Sequence, residues 1–445
     1  MSTSTKTVAV MGAGPAGMAA ALFIARQGYK VTLLDERPRL GGGLVEPDAD
    51  GTLLDALPPV VFGHHRATLS LLKDLGTTRL AQLAPPNAIE FRRHGREAHR
   101  LRSLWLPAPL HSVLGLAASR GLTVRDLWRA LVFLQQTWEE NPALPVDLES
   151  RRADQWLTEI RQSEDAQVNV WAPLSRFLLS SELSGVSASL LVEVLRRSFL
   201  TSRADSRIGI ADRSWQALLI DPIAAQLAQH DVTIRTGVSF DHLTVTHQRA
   251  SSLRLGDRQS VSADWFVSAV PPRRLSALLP DHLVMRFATF HQLSRLSDAT
   301  GVTVHLWFTA RVAAPRLLLL VGHTFHWCVV RRGEKDRVVV TLVATGRADL
   351  MHHQERALMD FALTDVRTAL PELADAPVLR HHVIKRERAC LVTRPGTAAH
   401  RPLTQSPIPN LLVAGGWTDT GLPDSIESAF VSAERCAVAI TRQKG

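Results

Sequence analysis

One tyrosine in 445 residues, three cysteines set far apart and no long unbroken apolar run are the first features of this chain. Cys328, Cys390 and Cys436 form no C-x-x-C pair, which argues against a zinc ribbon or a disulfide framework and for a reducing compartment. A bilayer span needs about 20 consecutive apolar residues, and the strand-like run that begins at Thr7 leaves no room for a signal peptide. A cytoplasmic protein is expected. The charge excess is modest, 51 Lys and Arg against 42 Asp and Glu, a net +9. It is scattered rather than blocked and comes with no finger, RRM signature or basic region, so nucleic acid is not an expected partner. Scattered arginine suits a solvated surface and also a peripheral contact with the inner face of a membrane, where each nearby basic residue contributes around 1 kcal/mol. The doublets His64-His65, His352-His353 and His381-His382 lack H-E-x-x-H spacing, and no metal is expected. What remains is a globular composition, 45% hydrophobic and 21% charged, in a chain long enough for two or three domains.

The strongest positive signal lies in the first forty residues. Thr7 to Met11 is a short β-branched run that suits a buried parallel strand, and it enters Gly12-Ala13-Gly14-Pro15-Ala16-Gly17, a G-x-G-x-x-G. An Ala-rich helical stretch follows to Ala25, Gly28 ends it, and a second strand from Tyr29 finishes on Asp35-Glu36. In such a unit Gly12 permits the tight turn, Gly14 the approach of a pyrophosphate and Gly17 close helix–strand packing. The helix start at Pro15 and Ala16 offers unpaired N–H groups and positive dipole to the phosphates. Asp35, with Glu36 beside it, stands where an acid accepts ribose hydroxyls. The fold class expected is α/β, with a Rossmann-like dinucleotide-binding domain.

The acid followed by the doublet Gly41-Gly42 resembles the extended FAD-binding motif of the flavin amine oxidase and phytoene desaturase superfamily. That resemblance implies FAD as cofactor and a glutathione-reductase-like, two-domain flavoprotein with an inserted α+β substrate domain. It implies a discontinuous FAD-binding domain over 1–60, 215–275 and 405–445, with 61–214 and 276–404 binding substrate. Ser262 to Pro272 resembles the superfamily's A-D-x-V-V-x-A-x-P-P strand, and Val238 falls where relatives contact adenine through the backbone. Near the C-terminus, Asn410 to Ala414 reads as a strand entering the turn Gly415-Gly416-Trp417, and a helix begins around Ile426. Asp424 and Glu427, three apart, read as a capping box for that helix, whose N-terminus would face the flavin and stabilise charge on the reduced ring. Trp156, Trp171 and Trp215, in and just beyond a helical zone from Ala153 to about Leu200, read as core, with a greasy pocket as the other reading.

The run Leu412 to Ala429, with Trp417 to Pro423, resembles the squalene-associated branch of the superfamily, and within it the hydroxysqualene dehydroxylase family. Phe62 to Leu69, Leu106 to His111 and Trp171 to Leu174 match as well. The resemblance implies an FAD-dependent oxidoreductase that removes a hydroxyl reductively from a C30 isoprenoid. An apolar small-molecule substrate and other squalene-pathway enzymes are the implied partners. Three positions depart from the pattern: Gly43 replaces an arginine, Ala56-Leu57-Pro58-Pro59 replaces a polar stretch after Asp55, and Gly416 replaces an aspartate. They motivate a scaffold homologue with weakened FAD binding as one rival reading; a carotenoid desaturase is the other. No catalytic side chain is assigned from the sequence.

Overall fold

A computed structural model describes residues 6–81, 83, 89–95, 99–101, 104–108, 110–117, 122–135, 146–333 and 337–442. Its organising element is a five-stranded parallel sheet. The order across it is Leu411–Val413, Trp265–Ser268, Thr7–Met11, Lys30–Leu34 and Thr233–Arg235. The strand made first therefore lies in the middle, and the one made last lies at an edge. Successive side chains of Thr7–Met11 point to opposite faces, and both faces are covered. Val8 and Val10 join a core with the helices Pro15–Ala25, Asp221–Gln229 and Ile426–Arg442. Ala9 and Met11 join another, with Phe240, Leu253 and Phe266, under the antiparallel sheet of Phe240–Thr246, Arg249–Leu255 and Ser260–Ser262.

Small residues bring the chain's two ends together. Helix Pro15–Ala25 has five alanines, all buried, and shares a core with Phe430, Ala433 and Ala437 of the terminal helix. The lone tyrosine is buried there, and its hydroxyl donates to Ile440 O at 3.5 Å. Packing into the shared core supplies most of the helix's stability.

A seven-stranded mixed sheet stands beyond this unit, in the order Val378–Leu391, Asp298–Thr309, Arg337–Thr345, Trp327–Arg332, Arg316–Val321, Ile89–Arg93 and His99–Leu101. Valine- and leucine-rich strands bury both of its faces. Leu317, Leu319, Trp327 and Val343 meet the helical segments between 110 and 200. Val304, Leu306, Val340 and Leu342 meet helix Glu355–Ala369. All three cysteines are free, and burial pushes the Cys328 and Cys390 thiols up to about 12. Among the described residues, no helix is long and apolar enough to cross a membrane, and no group of three His, Cys, Asp or Glu could hold a metal.

Candidate cofactor and substrate site

Two of the three glycines in the turn at the sheet's leading edge are required by contact. Gly12 has φ +100°, and a Cβ there would lie 2.7 Å from Ala269 O; one on Gly17 would lie 1.7 Å from Gly12 O. Gly14 differs. Its backbone is extended, and a Cβ would meet only Gly42 Cα, at 3.9 Å. Pro15 opens the helix, and no side chain caps its first turn. The doublet loop folds back on this turn: Gly41 N–H donates to Ala13 O at 2.9 Å, and Gly41 and Gly42 both have positive φ. A Cβ on Gly41 would strike Ile220, at the end of a wide helical turn, at 2.3 Å.

Asp35 is buried against this turn, its carboxylate accepting from the Ala13 N–H and, at 2.7 Å, from the Arg37 N–H. Each of its oxygens keeps a further lone pair. Glu36 is held by Arg274 at 2.6 and 2.9 Å and accepts from Phe240 N–H at 3.1 Å. Val238 lies beside them, its N–H donating to Asp35 O at 3.0 Å.

The C-terminal turn arrives next to the N-terminal one because their strands share the sheet. Gly415 has φ +147°, its N–H donates to Ser432 Oγ at 2.8 Å, and a Cβ on it would meet the Trp417 indole. The Trp417 ring is core, packed in the cluster of Val413, Leu391 and Ile408. Arg401 binds the turn by donating to the carbonyls of Gly416, Trp417, Thr418 and Leu422. Ile426 packs at the start of the terminal helix. The capping box expected here does not form. Asp424 instead accepts from Leu391 N–H at 2.8 Å, and its other oxygen lies 2.2 Å from where a Cβ on Gly416 would be. The space that a side chain at 416 would enter is thus occupied by a carboxylate from eight residues further along. Glu427 does cap a helix, but not its own: it accepts from the N–H groups of Ala67 and Thr68, both at 2.9 Å, at the start of Arg66–Asp74. Spacing in sequence shows which local cap is available, not that a distant helix end competes for the carboxylate.

Arg386, on the strand Val378–Leu391, reaches the doublet loop and donates to Gly43 O at 2.8 Å. The run Lys385-Arg386-Glu387-Arg388 holds three cations and one acid, and its local pattern does not show which of them turns inward. Asp298 begins the neighbouring strand, and burial together with the charge of Asp424 raises its pKa.

Asp55 joins the cofactor side to the large sheet. It is buried, pairs with Arg331 and accepts from Trp215 N–H at 2.8 Å. Desolvation raises its pKa against the pull of Arg331. Its backbone carbonyl accepts from His305 Nε2 at 2.9 Å, while His305 Nδ1 meets Thr341 Oγ1 at 3.0 Å. With both nitrogens engaged as one donor and one acceptor, and desolvation dominant, the imidazole is pushed down to about 3.

Within the helical region a slot is lined by Leu116, Leu127, Trp156, Trp171, Leu174 and Phe199, among others, with Ser112 the only polar lining side chain among the described residues apart from the indole nitrogens. Trp156 and Trp171 are thus both core and wall; Trp215 belongs to the cofactor-side core, its Nε1 donating to Leu57 O at 3.0 Å. The slot's open space is about 60 Å³, the liquid share of roughly two waters. On the outside of the same segments Trp105, Val124 and Trp128 are 90%, 87% and 68% exposed, with Leu104, Leu110 and Leu114 beside them in sequence. The Arg203 guanidinium sits 4.5 Å over the Trp105 ring.

A parallel dinucleotide-type sheet closed by the chain's own C-terminus, with a second sheet and a helical insert facing it, defines a two-part flavoprotein oxidoreductase fold. The chain belongs to the flavin containing amine oxidoreductase family, whose model matches residues 15–441, and it is an FAD-dependent oxidoreductase. It is 23% identical over 459 residues to 15-cis-phytoene desaturase of Solanum lycopersicum, covering 99% of this chain and 78% of that one. Zeta-carotene desaturase of Synechocystis is also 23% identical, over 97% of this chain and 96% of that one. Among solved structures, an oxidoreductase from Methanosarcina mazei superposes with a TM-score of 0.74 at 14% identity, covering 96% of this chain and 99% of that one. Cyclohexylamine oxidase from Brevibacterium oxydans gives 0.70 at 17%, with 99% of each chain covered.

Proposed function

We propose that this enzyme acts on a C30 isoprenoid, reductively dehydroxylating hydroxysqualene to squalene. The observation that carries the substrate class is the slot, whose wall is apolar but for one serine and the indole nitrogens, beside a flavoprotein fold. Dehydroxylation is supported by the resemblance of Leu412 to Ala429 and Leu106 to His111. Bound in its reduced form, FAD would supply the hydride equivalent for a C–H bond in place of the C–O bond, with a proton leaving with the oxygen as water.

The cradle fits the cofactor by the contacts of its glycines. Gly12, Gly14, Pro15, Ala16 and Gly17 would hold the pyrophosphate, with Gly14 the point of closest approach. Asp35 and Glu36 would serve the ribose, Val238 the adenine, Gly41 and Gly42 the far side of the phosphates, and Gly415, Gly416, Trp417 and Ile426 the flavin end. Asp424 stands in for the acid that Gly416 lacks. The segments 1–60, 215–275 and 405–445 form the cofactor domain in this reading, and 61–214 and 276–404 the substrate domain.

The chain's own part is to exclude water and orient an apolar molecule. A ligand site for such a molecule has several hundred Å³, so the helices Leu110–Ala117 and Val124–Gln135 must part to admit it. The exposed tryptophans on these segments, with Arg125 and Arg203 nearby, suit a peripheral contact with an anionic bilayer from which such a substrate would come. Desaturation of a carotenoid precursor is the second reading, favoured by the similarity to phytoene and zeta-carotene desaturases. Incubating reduced holoprotein with hydroxysqualene, and oxidised holoprotein with phytoene, separates the two by mass spectrometry of the hydrocarbon. Turnover of phytoene with hydroxysqualene untouched would sink the dehydroxylase reading.

A further inference from the structure

We propose that Arg386 is a cofactor ligand, its guanidinium binding the negatively charged phosphate-to-ribityl stretch of the dinucleotide at the seam between the N-terminal glycine doublet and the C-terminal turn. This rests on the reading of the glycine cradle as the FAD site.

The side chain is fixed in place from two directions. Nη1 donates to Gly43 O at 2.8 Å, while Nη2 donates to Ala389 O at 2.6 Å and Arg388 O at 3.3 Å. It thereby spans from the loop after Gly41-Gly42 to the end of its own strand, which leads to Leu391 and so to Asp424. All three partners are neutral carbonyls. Among the described residues no carboxylate lies within 4.0 Å of it, whereas Arg37 and Arg39, the other guanidiniums at this loop, both pair with Glu46. The nearby Asp424 is engaged with the Leu391 N–H.

Glu46 and Asp424 act on this partly buried cation only from beyond 4.0 Å, an unfavourable arrangement unless something anionic makes closer contact. Burial accordingly presses the Arg386 pKa down. Phosphate is the partner for which a planar guanidinium is best shaped, since it offers paired acceptor oxygens to parallel N–H donors. The chain has also left room. Gly43 carries no side chain, and a Cβ there would lie 3.7 Å from Arg386 Nη2, so a long side chain at 43 would enter the space the guanidinium occupies. A basic group reaches this point from the opposite sheet, 343 residues away in the chain.

The test compares wild type with Arg386→Gln, which keeps N–H donors for the carbonyls but no charge, and with Arg386→Ala. FAD dissociation constants are measured by flavin fluorescence at two salt concentrations, with thermal unfolding of the apoprotein alongside. The expected result is at least a tenfold weaker FAD affinity in both variants, a shallower salt dependence, and recovery to within about threefold when Gly43→Arg is added to Arg386→Ala. A purely structural role predicts lower apoprotein stability, unchanged affinity in the folded Gln variant and no rescue by Gly43→Arg; that outcome overturns the inference while leaving the FAD site standing. A wild-type protein that takes up no FAD overturns both.

Discussion

The carboxylate of Asp55 and the guanidinium of Arg331 meet at 2.9 Å across the boundary between the loop that follows the glycine doublet and the large mixed sheet. Both side chains are buried. Removing one partner leaves the other as an uncompensated charge, an effect of about 3–5 kcal/mol. Asp55→Ala is therefore expected to lower stability by that order in urea unfolding. The double variant Asp55→Ala, Arg331→Met should recover a substantial part of it; equal losses in the two would show that the pair is not what holds this boundary.

Acid should weaken the fold through histidines that are held neutral. His305 and His326 are buried, and each is pushed from its usual value down to about 3, chiefly by desolvation. Between that value and 6.5 the unfolded chain binds protons that the folded chain does not, so stability is fully present above pH 6.5 and declines as pH falls toward 3. Each unit in this window carries up to about 1.4 kcal/mol per histidine. Unfolding midpoints from pH 7.5 to 5 should fall, and His305→Asn should flatten the slope even as it lowers the plateau. An unchanged slope would place the acid sensitivity elsewhere.

Two glycines six residues or fewer from the first strand should behave oppositely. Gly17→Ala places a methyl 1.7 Å from Gly12 O and is expected to prevent folding of the turn. Gly14→Ala meets only open space on the protein side, so its melting temperature should stay within a few degrees of wild type while FAD affinity falls more than tenfold. Undiminished flavin absorbance in folded Gly14→Ala would remove Gly14 from the cofactor's path.

Filling the slot separates substrate handling from flavin chemistry. Leu116→Trp adds a ring to a space of about 60 Å³. Product formation from hydroxysqualene should drop at least tenfold with the flavin spectrum unchanged. Normal turnover in this variant would move the substrate away from the helical region.

The exposed rings offer a direct measurement of lipid contact. Wild-type protein should co-sediment with vesicles containing phosphatidylserine more than with pure phosphatidylcholine, and its tryptophan emission should shift to the blue. Trp105→Ser with Trp128→Ser should abolish most of the binding without altering FAD affinity. Equal sedimentation of the variant and wild type would exclude this surface.

Local pattern carried the fold a long way. The strand, glycine turn, helix and second strand of residues 7–34 are encoded by neighbours, because Gly12 and Gly17 are each demanded by a contact within the same unit or with Ala269 beside the adjoining strand. The strands Asp298–Thr309 and Arg337–Thr345 are likewise local, since both are rich in β-branched residues. Partners chosen by tertiary geometry are not. Glu427 binds a helix start about 360 residues earlier, Arg386 fills the place beside Gly43 from the far sheet, and Asp424 sits in the space left by Gly416. Each is a charge whose destination depends on how the two sheets face one another, and no spacing rule within the chain encodes that.

The strand order has a consequence for how the molecule is born. During synthesis the central strand emerges first, but its neighbour Trp265–Ser268 and the edge strand Leu411–Val413 follow hundreds of residues later. The helix Ile426–Arg442, which packs on Pro15–Ala25, comes about 400 residues later in the chain. A nascent polypeptide must carry that alanine surface without this partner until residues 426–442 have been made, so chaperone attachment should concentrate on the segment around Pro15–Ala25.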